Sequence, residues 1–197
     1  MDRRYLKQQL MDFFNQYQLG INWRLLTLNF EVHSLHKGEC LVHQGEHSSK
    51  VFFLNKGLLR YYSLSDNGKE YTQTLAKAPR MVGSTRAMVS EQPSLFSIEA
   101  LEPCLAISFS WKSFYQQMSQ DLAFMQAYAK FMESIFISKE MKEHRMASHS
   151  ATQRYLDFCC DFPELQRSLP QQQIASYIGI TPVALSRIRA KLKNTMG

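Results

Sequence analysis

The chain has 197 residues and carries 23 Lys and Arg against 17 Asp and Glu, a formal net charge of +6. At 45% hydrophobic and 20% charged residues it reads as an ordinary globular protein, with room for one large or two modest cores. No apolar run approaches the ~18–20 residues of a membrane span, and no charged-then-apolar signal opens the chain. A cytoplasmic location without a membrane partner is therefore expected. Four cysteines, Cys40, Cys104, Cys159 and Cys160, show no CxxC spacing. They support neither a zinc ribbon nor a disulfide framework and read as small hydrophobes. The basic balance suits a negatively charged partner.

In chain order, Tyr5, Leu6, Leu10, Phe13, Phe14 and Tyr17 recur at helical spacing until Gly20. A second short helical piece is expected around Trp23 to Leu28. From Phe30 to Phe109 the apolar residues come in short runs punctuated by Gly38, Gly45, Gly57, Gly68 and Gly83, with Asp66-Asn67-Gly68 as a turn signal. Val51 to Leu54, Leu58 to Leu64 and Tyr71 to Leu75 are strand candidates. Many short strands imply an antiparallel barrel or jelly roll. His33, His36, Cys40, His43 and His47 are concentrated in this region, and imidazole and thiolate are usual metal ligands. Strand alternation sends His33 and His36 to opposite faces, so solvent-facing histidines and no metal site are expected.

Trp111 to Met118 begins a helical stretch that runs without Gly or Pro from Asp121 to about Arg145. Leu122, Met125, Ala129, Met132 and Phe136 form one apolar stripe, and Phe124, Tyr128, Phe131 and Ile135 a neighbouring one. A helix apolar over so much of its girth must be covered on two sides. By pattern alone the second cover is either the same chain or a second subunit at coiled-coil geometry. Ala147-Ser148-His149-Ser150 reads as a hinge, and Thr152 to Phe162 as a helix with Tyr155, Leu156, Phe158 and Cys159 inward.

The last stretch is the most specific. Ile174 and Ile178 mark a helix stopped by Gly179, and Thr181-Pro182 restarts the chain with a hydroxyl cap and proline at the first helical position. Leu185, Ile188 and Leu192 line the inner side of the second helix, and Ala175 is small where the two helices cross. This is a helix-turn-helix, whose second helix is shaped for a DNA major groove. After Glu164 no Asp or Glu occurs, while Arg167, Arg187, Arg189, Lys191 and Lys193 do. The expected contacts to double-stranded DNA are Gln172, Thr181, Val183, Ala184, Ser186, Arg187, Arg189 and Lys191.

The run His36 to Glu70, HKGECLVHQGEHSSKVFFLNKGLLRYYSLSDNGKE, resembles the cyclic-nucleotide-binding barrel of the Crp/Fnr transcription regulators. With the helix-turn-helix, the resemblance preserves domain order over nearly the whole chain. It implies an α+β fold: a barrel domain over 1–110, a connecting dimerisation helix over 111–147 and a DNA-binding domain over 148–197. It favours a parallel homodimer through Leu122 to Phe136. In nucleotide-binding members a Gly-Glu pair, then an arginine and a small hydroxyl residue, hold the ribose and cyclic phosphate. The matching positions here are Gly83, Ser84, Ser94 and Leu95. Both charged ligands are missing, so a degenerate pocket is expected, with Leu95 apolar where the phosphate needs a donor. The resemblance further implies that Arg187 reads guanine, with RNA polymerase and an unidentified small-molecule effector as further partners. No enzyme activity and no cofactor are expected. The alternative is a metal- or small-molecule-binding barrel with a helical tail that does not bind DNA.

Overall fold

The computed structural model describes residues 3–196 and has the predicted α+β class. It forms two compact units, one of residues up to 64 with 73–134, the other of 65–72 with residues from 135 onward.

The first unit opens with α1 (Arg3–Asn15), which buries Leu6, Leu10, Phe13 and Phe14, three or four residues apart on one side. It stops before the predicted Gly20, because the Asn15 side chain accepts a hydrogen bond from Trp23 Nε1 at 3.1 Å. Only Trp23–Leu25 then coils, as a 3-10 turn capped by Asn22, not the longer piece expected. The strands are β1 (Glu31–Leu35), β2 (Cys40–Val42), β3 (Lys50–Lys56), β4 (Leu58–Leu64), β5 (Glu70–Lys77) and β6 (Arg80–Val82), then β7 (Ser97–Ala100) and β8 (Cys104–Ser110). They build two antiparallel four-stranded sheets in the orders β1-β8-β3-β6 and β2-β7-β4-β5. The helix α2 (Thr85–Ser90) lies between β6 and β7. Residues from both sheets, Leu35, Phe52, Leu54, Leu59, Ile98 and Ala106 among them, form one buried cluster, the core of a jelly roll.

The first sheet is buried on its other face too. There Phe53 meets Phe13 at 5.6 Å between ring centres. Phe109 meets Phe114 of α3 (Trp111–Met118) at 4.9 Å. Phe14 in turn packs on Phe124 at 5.3 Å. Double burial explains why β3 reads as a continuous apolar run, not an alternating one. Between β3 and β4, Gly57 has φ +103, and a Cβ there would lie 2.5 Å from Cys104 Sγ. Only glycine serves at that turn.

Helix α4 (Leu122–Ser148) buries Phe124, Ala127 and Phe131 in the first unit. Its other stripe is open: Leu122 is 74% and Phe136 70% exposed, and Met132, Ile137 and Met141 are exposed as well. The predicted hinge is narrower than expected, since Ala147 and Ser148 remain in α4. His149 N donates to Arg145 O at 3.0 Å and closes that last turn, within which Ser148 Oγ donates back to His144 O at 2.7 Å. Chain direction changes at His149 and Ser150, where Ser150 caps α5 (Ala151–Asp161). Then come α6 (Leu165–Ser168), α7 (Gln171–Ile178) and α8 (Pro182–Met196). They share a core of Tyr155, Phe158, Leu165, Ile174, Ala175, Ile178 and Leu185. In this same unit Thr72 N donates to Ser176 Oγ at 2.8 Å, and Ser176 Oγ donates to Glu70 O at 3.1 Å. Among the described residues no helix is long and apolar enough to cross a membrane.

Candidate nucleic-acid interface

The turn between α7 and α8 is made as its residues dictate. Gly179 takes the left-handed conformation, φ +73, and Ile180 N donates to Ala175 O at 3.0 Å. That bond closes α7 in a Schellman arrangement. Thr181 Oγ1 then accepts from Ala184 N at 3.2 Å, capping α8, and Gln171 Nε2 ties the two helices by donating to Pro182 O at 2.7 Å. Arg154 Nε donates to Ile178 O at 2.8 Å, placing a cation at the carbonyl end of α7 where the helix dipole favours one. Leu185 is fully buried, and Ile188 and Leu192 are half-buried beside it.

The outward face of α8 consists of Val183, Ser186, Arg187, Ala190 and Lys191, all exposed, with Ala184 half-buried at its edge. Thr181 is exposed at the start of α8 and Gln172 on the first turn of α7. The structure thus brings seven of the eight expected DNA-contacting residues to the surface of the helix pair.

Arg189 is different and corrects the sequence reading. Its Nε donates to Tyr155 Oη at 3.0 Å and its Nη2 to Gln166 O at 3.1 Å, with the guanidinium 5.4 Å from the Tyr155 ring centre. Burial raises the Tyr155 pKa although Arg189 pulls it down, so the phenol stays neutral and available as acceptor. Arg189 thereby pins α8 to α5 and α6. Tyr155, Gln166, Arg154 and Gln171 were not expected at this site. Their partners lie 34, 23, 24 and 11 residues away, beyond any local pattern. Arg189 itself carried a signal, because it stands four residues after Leu185 on the inward side.

In the first unit the four expected pocket residues have these surroundings. Gly83 N donates to Tyr61 Oη at 3.1 Å. Ser84, 1% exposed, caps α2 by accepting from Ala87 N at 3.4 Å. Ser94, also 1% exposed, donates to Phe96 O at 2.7 Å. Leu95 is 59% exposed, so the expectation that it stands in a phosphate position is corrected: it turns to solvent while its neighbour Ser94 is buried. Tyr61 packs on Phe96 at 5.1 Å between ring centres, and burial pushes its pKa up to about 12. Its neutral hydroxyl and the Gly83 amide satisfy each other. His33 also departs from expectation. It is half-buried, bonded to Ser108 Oγ at 2.7 Å and edge-on to Phe52, because β1 turns it to the sheet's inner face. His36, His43 and His47 are exposed. Among the described residues no group of three or more His, Cys, Asp or Glu could hold a metal ion.

Residues 32–121 match the cyclic nucleotide-binding domain family. The c-di-GMP-responsive global regulator CLP of Xanthomonas campestris is 12% identical, covering 94% of this chain and 91% of its own, with a TM-score of 0.70. FixK2 of Bradyrhizobium japonicum is 16% identical over 86% of each chain, with a TM-score of 0.72. A CRP-family transcriptional regulator of Thermus thermophilus is 16% identical over 83% of this chain and 85% of its own, with a TM-score of 0.67. No curated protein sequence matches the chain. Residues 32–121 thus resemble a cyclic nucleotide-binding domain, and the chain shares the fold of these solved structures.

Proposed function

We propose that this protein is a sequence-specific DNA-binding transcription regulator that acts as a homodimer and is not governed by a cyclic nucleotide. The observation that carries the reading is the outward face of α8. Val183, Ser186, Arg187 and Lys191 stand exposed on one side of a capped, internally clamped helix, in a segment with no carboxylate side chain after Glu164. Such a helix lays base-reading side chains in a major groove while its cations neutralise phosphates. Two similar structures are named as regulators, in keeping with this role.

The dimer draws support from α4. An isolated helix face bearing Leu122, Met132 and Phe136 in water is costly and is the expected seam for a second copy. Two copies related by a two-fold axis read a two-fold-symmetric operator. Arg187, near the middle of α8, pairs bidentately with guanine. Thr181, Val183, Ala184 and Ser186 line the base-facing end, and Gln172 and Lys191 hold the backbone. RNA polymerase at the promoter is the further protein partner in this reading, and a cytoplasmic location follows from the DNA. The loss of charge at Ser84 and at Ser94, and the engagement of Gly83 with Tyr61, argue against a cyclic phosphate ligand.

Selection of bound DNA from a random pool tests the reading. The expected product is a palindrome with half-site centres about 10 base pairs, or a multiple of that, apart. A pool that shows no enrichment, or only unpaired half-sites, would remove the dimeric regulator.

A further inference from the structure

The open stripe of α4 changes character partway along the helix. Leu122, Met125, Ala129, Met132 and Phe136 alternate in steps of three and four, and the same steps continue to Lys139 and Glu143. Both of these are exposed, as is Glu140 beside them. The apolar part of the stripe therefore ends at Phe136, and charged side chains follow on the same side.

Other residues of this stretch are engaged within their own unit. Arg145 pairs with Asp161, and Lys142 Nζ lies 3.7 Å from the Tyr177 ring centre. Met146 would follow Glu143 in the stripe, but it turns to the α7–α8 corner. A Cβ at Gly179 would lie 2.6 Å from Met146 Cε. The stripe thus closes on one charged layer, in which Lys139 supplies the ammonium and Glu140 and Glu143 the carboxylates.

Knobs-into-holes packing dictates what a second copy places against that layer. In a parallel, in-register pair, Lys139 of one copy enters a hole formed by Phe136, Lys139, Glu140 and Glu143 of the other. Its methylene stem covers the Phe136 ring while its ammonium reaches the two carboxylates. An antiparallel pair centred on the apolar stripe, near Ala129, sets the two Lys139 side chains about 30 Å apart. That separation is several screening lengths, and no pair across the seam forms.

We propose that α4 carries an ionic lock below its apolar seam, with Lys139 of one copy held between Glu140 and Glu143 of a second copy of this chain. The lock gives the seam a direction and a register, which an apolar stripe by itself specifies poorly. It rests on the homodimer proposed above and adds which residues orient it.

The test uses two full-length variants, Lys139→Glu and the double variant Glu140→Lys with Glu143→Lys. The first makes all three positions acidic and the second makes all three basic. The positions are exposed, and Lys and Glu are comparable helix formers, so both variants keep the fold. Each alone should dimerise about tenfold or more weakly than the parent by sedimentation, because like charges meet across the seam. An equimolar mixture should regain dimers as tight as the parent's, of mixed composition by native mass spectrometry. Variants that each dimerise as tightly as a dimeric parent, or a mixture without mixed dimers, would overturn the lock and leave the homodimer standing. A parent that is monomeric at about 10 µM would overturn both. Should either variant unfold, Glu143→Cys decides the matter. Mild oxidation should then join the two introduced thiols, located by peptide mapping, and a chain that forms no such link has no parallel, in-register layer there.

Discussion

Three basic side chains on α8 have different surroundings, and in the proposed reading three different tasks. Arg187 is exposed in the middle of the outward face, and in the proposed reading its guanidinium reaches base edges. Arg187→Ala should cost about 1–3 kcal/mol on the selected site and little on random DNA. Lys191, one turn on, is expected closer to the DNA backbone. Lys191→Ala should weaken all sequences alike and lower the salt slope by about one unit. Arg189, bonded to Tyr155 and Gln166, should act through the fold: Arg189→Ala leaves a buried phenol acceptor and a carbonyl unmatched, lowering unfolding free energy by about 1–3 kcal/mol. Thermal unfolding beside fluorescence-anisotropy titrations separates the three. Equal losses on specific and random DNA for Arg187→Ala would reduce α8 to a charged rod. The inward residues Leu185, Ile188 and Leu192 were legible because apolar spacing reports burial directly. Arg189 stands among the expected DNA contacts for its charge, although its spacing from Leu185 puts it on the inward side. Leu95 was misread for another reason: matching a motif gives the residue at a position, not the direction its side chain takes in a loop.

Capped elements were the most legible ones. Thr181-Pro182, Gly179 and the strand runs Val51–Leu54 and Leu58–Leu64 specify their own backbone, and the structure follows them. Ends set by side-chain or single backbone bonds were not legible: α1 stops where Asn15 meets Trp23, and α4 runs past Ala147 to the turn closed by His149 N on Arg145 O. The two stripes of α4 were distinguishable by sequence but not assignable. The aromatic stripe proves to be the buried one and the Leu122–Met132–Phe136 stripe the open one. Glu in place of both Met132 and Phe136 should therefore leave the fold intact and set like charges across the seam. Sedimentation should show monomers for the double variant and a dimer for the parent at about 10 µM, a concentration that separates stable from incidental association. The same helix carries a pH signature through Lys142, whose pKa falls from 10.5 to about 8 on folding. Between those values the unfolded chain holds a proton that the folded chain lacks, so stability rises with pH across that window. Tyr61 works in the opposite sense above pH 10, its folded pKa being raised to about 12. Subtracting the profile of Lys142→Met removes that contribution. The remaining difference should rise from about pH 8 to 10.5, and a flat difference by chemical denaturation would mean the ammonium is solvated.

For the molecule as a whole, the two sheets of the jelly roll close over an apolar interior. The interior positions that face one another, Leu35, Phe52, Leu59, Ile98 and Ala106, are apolar and packed. A cyclic nucleotide brings a phosphate that must be matched by cations or amides. Here the Gly83 amide is taken by Tyr61, and the hydroxyls of Ser84 and Ser94 are used in their own turns. Of the nearby cations, Arg86 donates to Pro93 O at 3.2 Å, and Arg80 acts on the Tyr61 hydroxyl through its charge. Admitting the nucleotide would break these bonds and leave the phosphate short of a charge-assisted partner, a loss of about 1.5–3 kcal/mol for each contact missing. Cyclic AMP and cyclic GMP are therefore expected to leave the melting temperature and the affinity for the selected operator unchanged at about 1 mM. A nucleotide binding at 10 µM would instead add close to 2.7 kcal/mol at that hundredfold excess. Differential scanning calorimetry resolves a change of that size easily. A rise in melting temperature that Tyr61→Phe enhances would show that the phenol competes with a phosphate for the Gly83 amide, and the barrel would then have to be counted as a working nucleotide sensor.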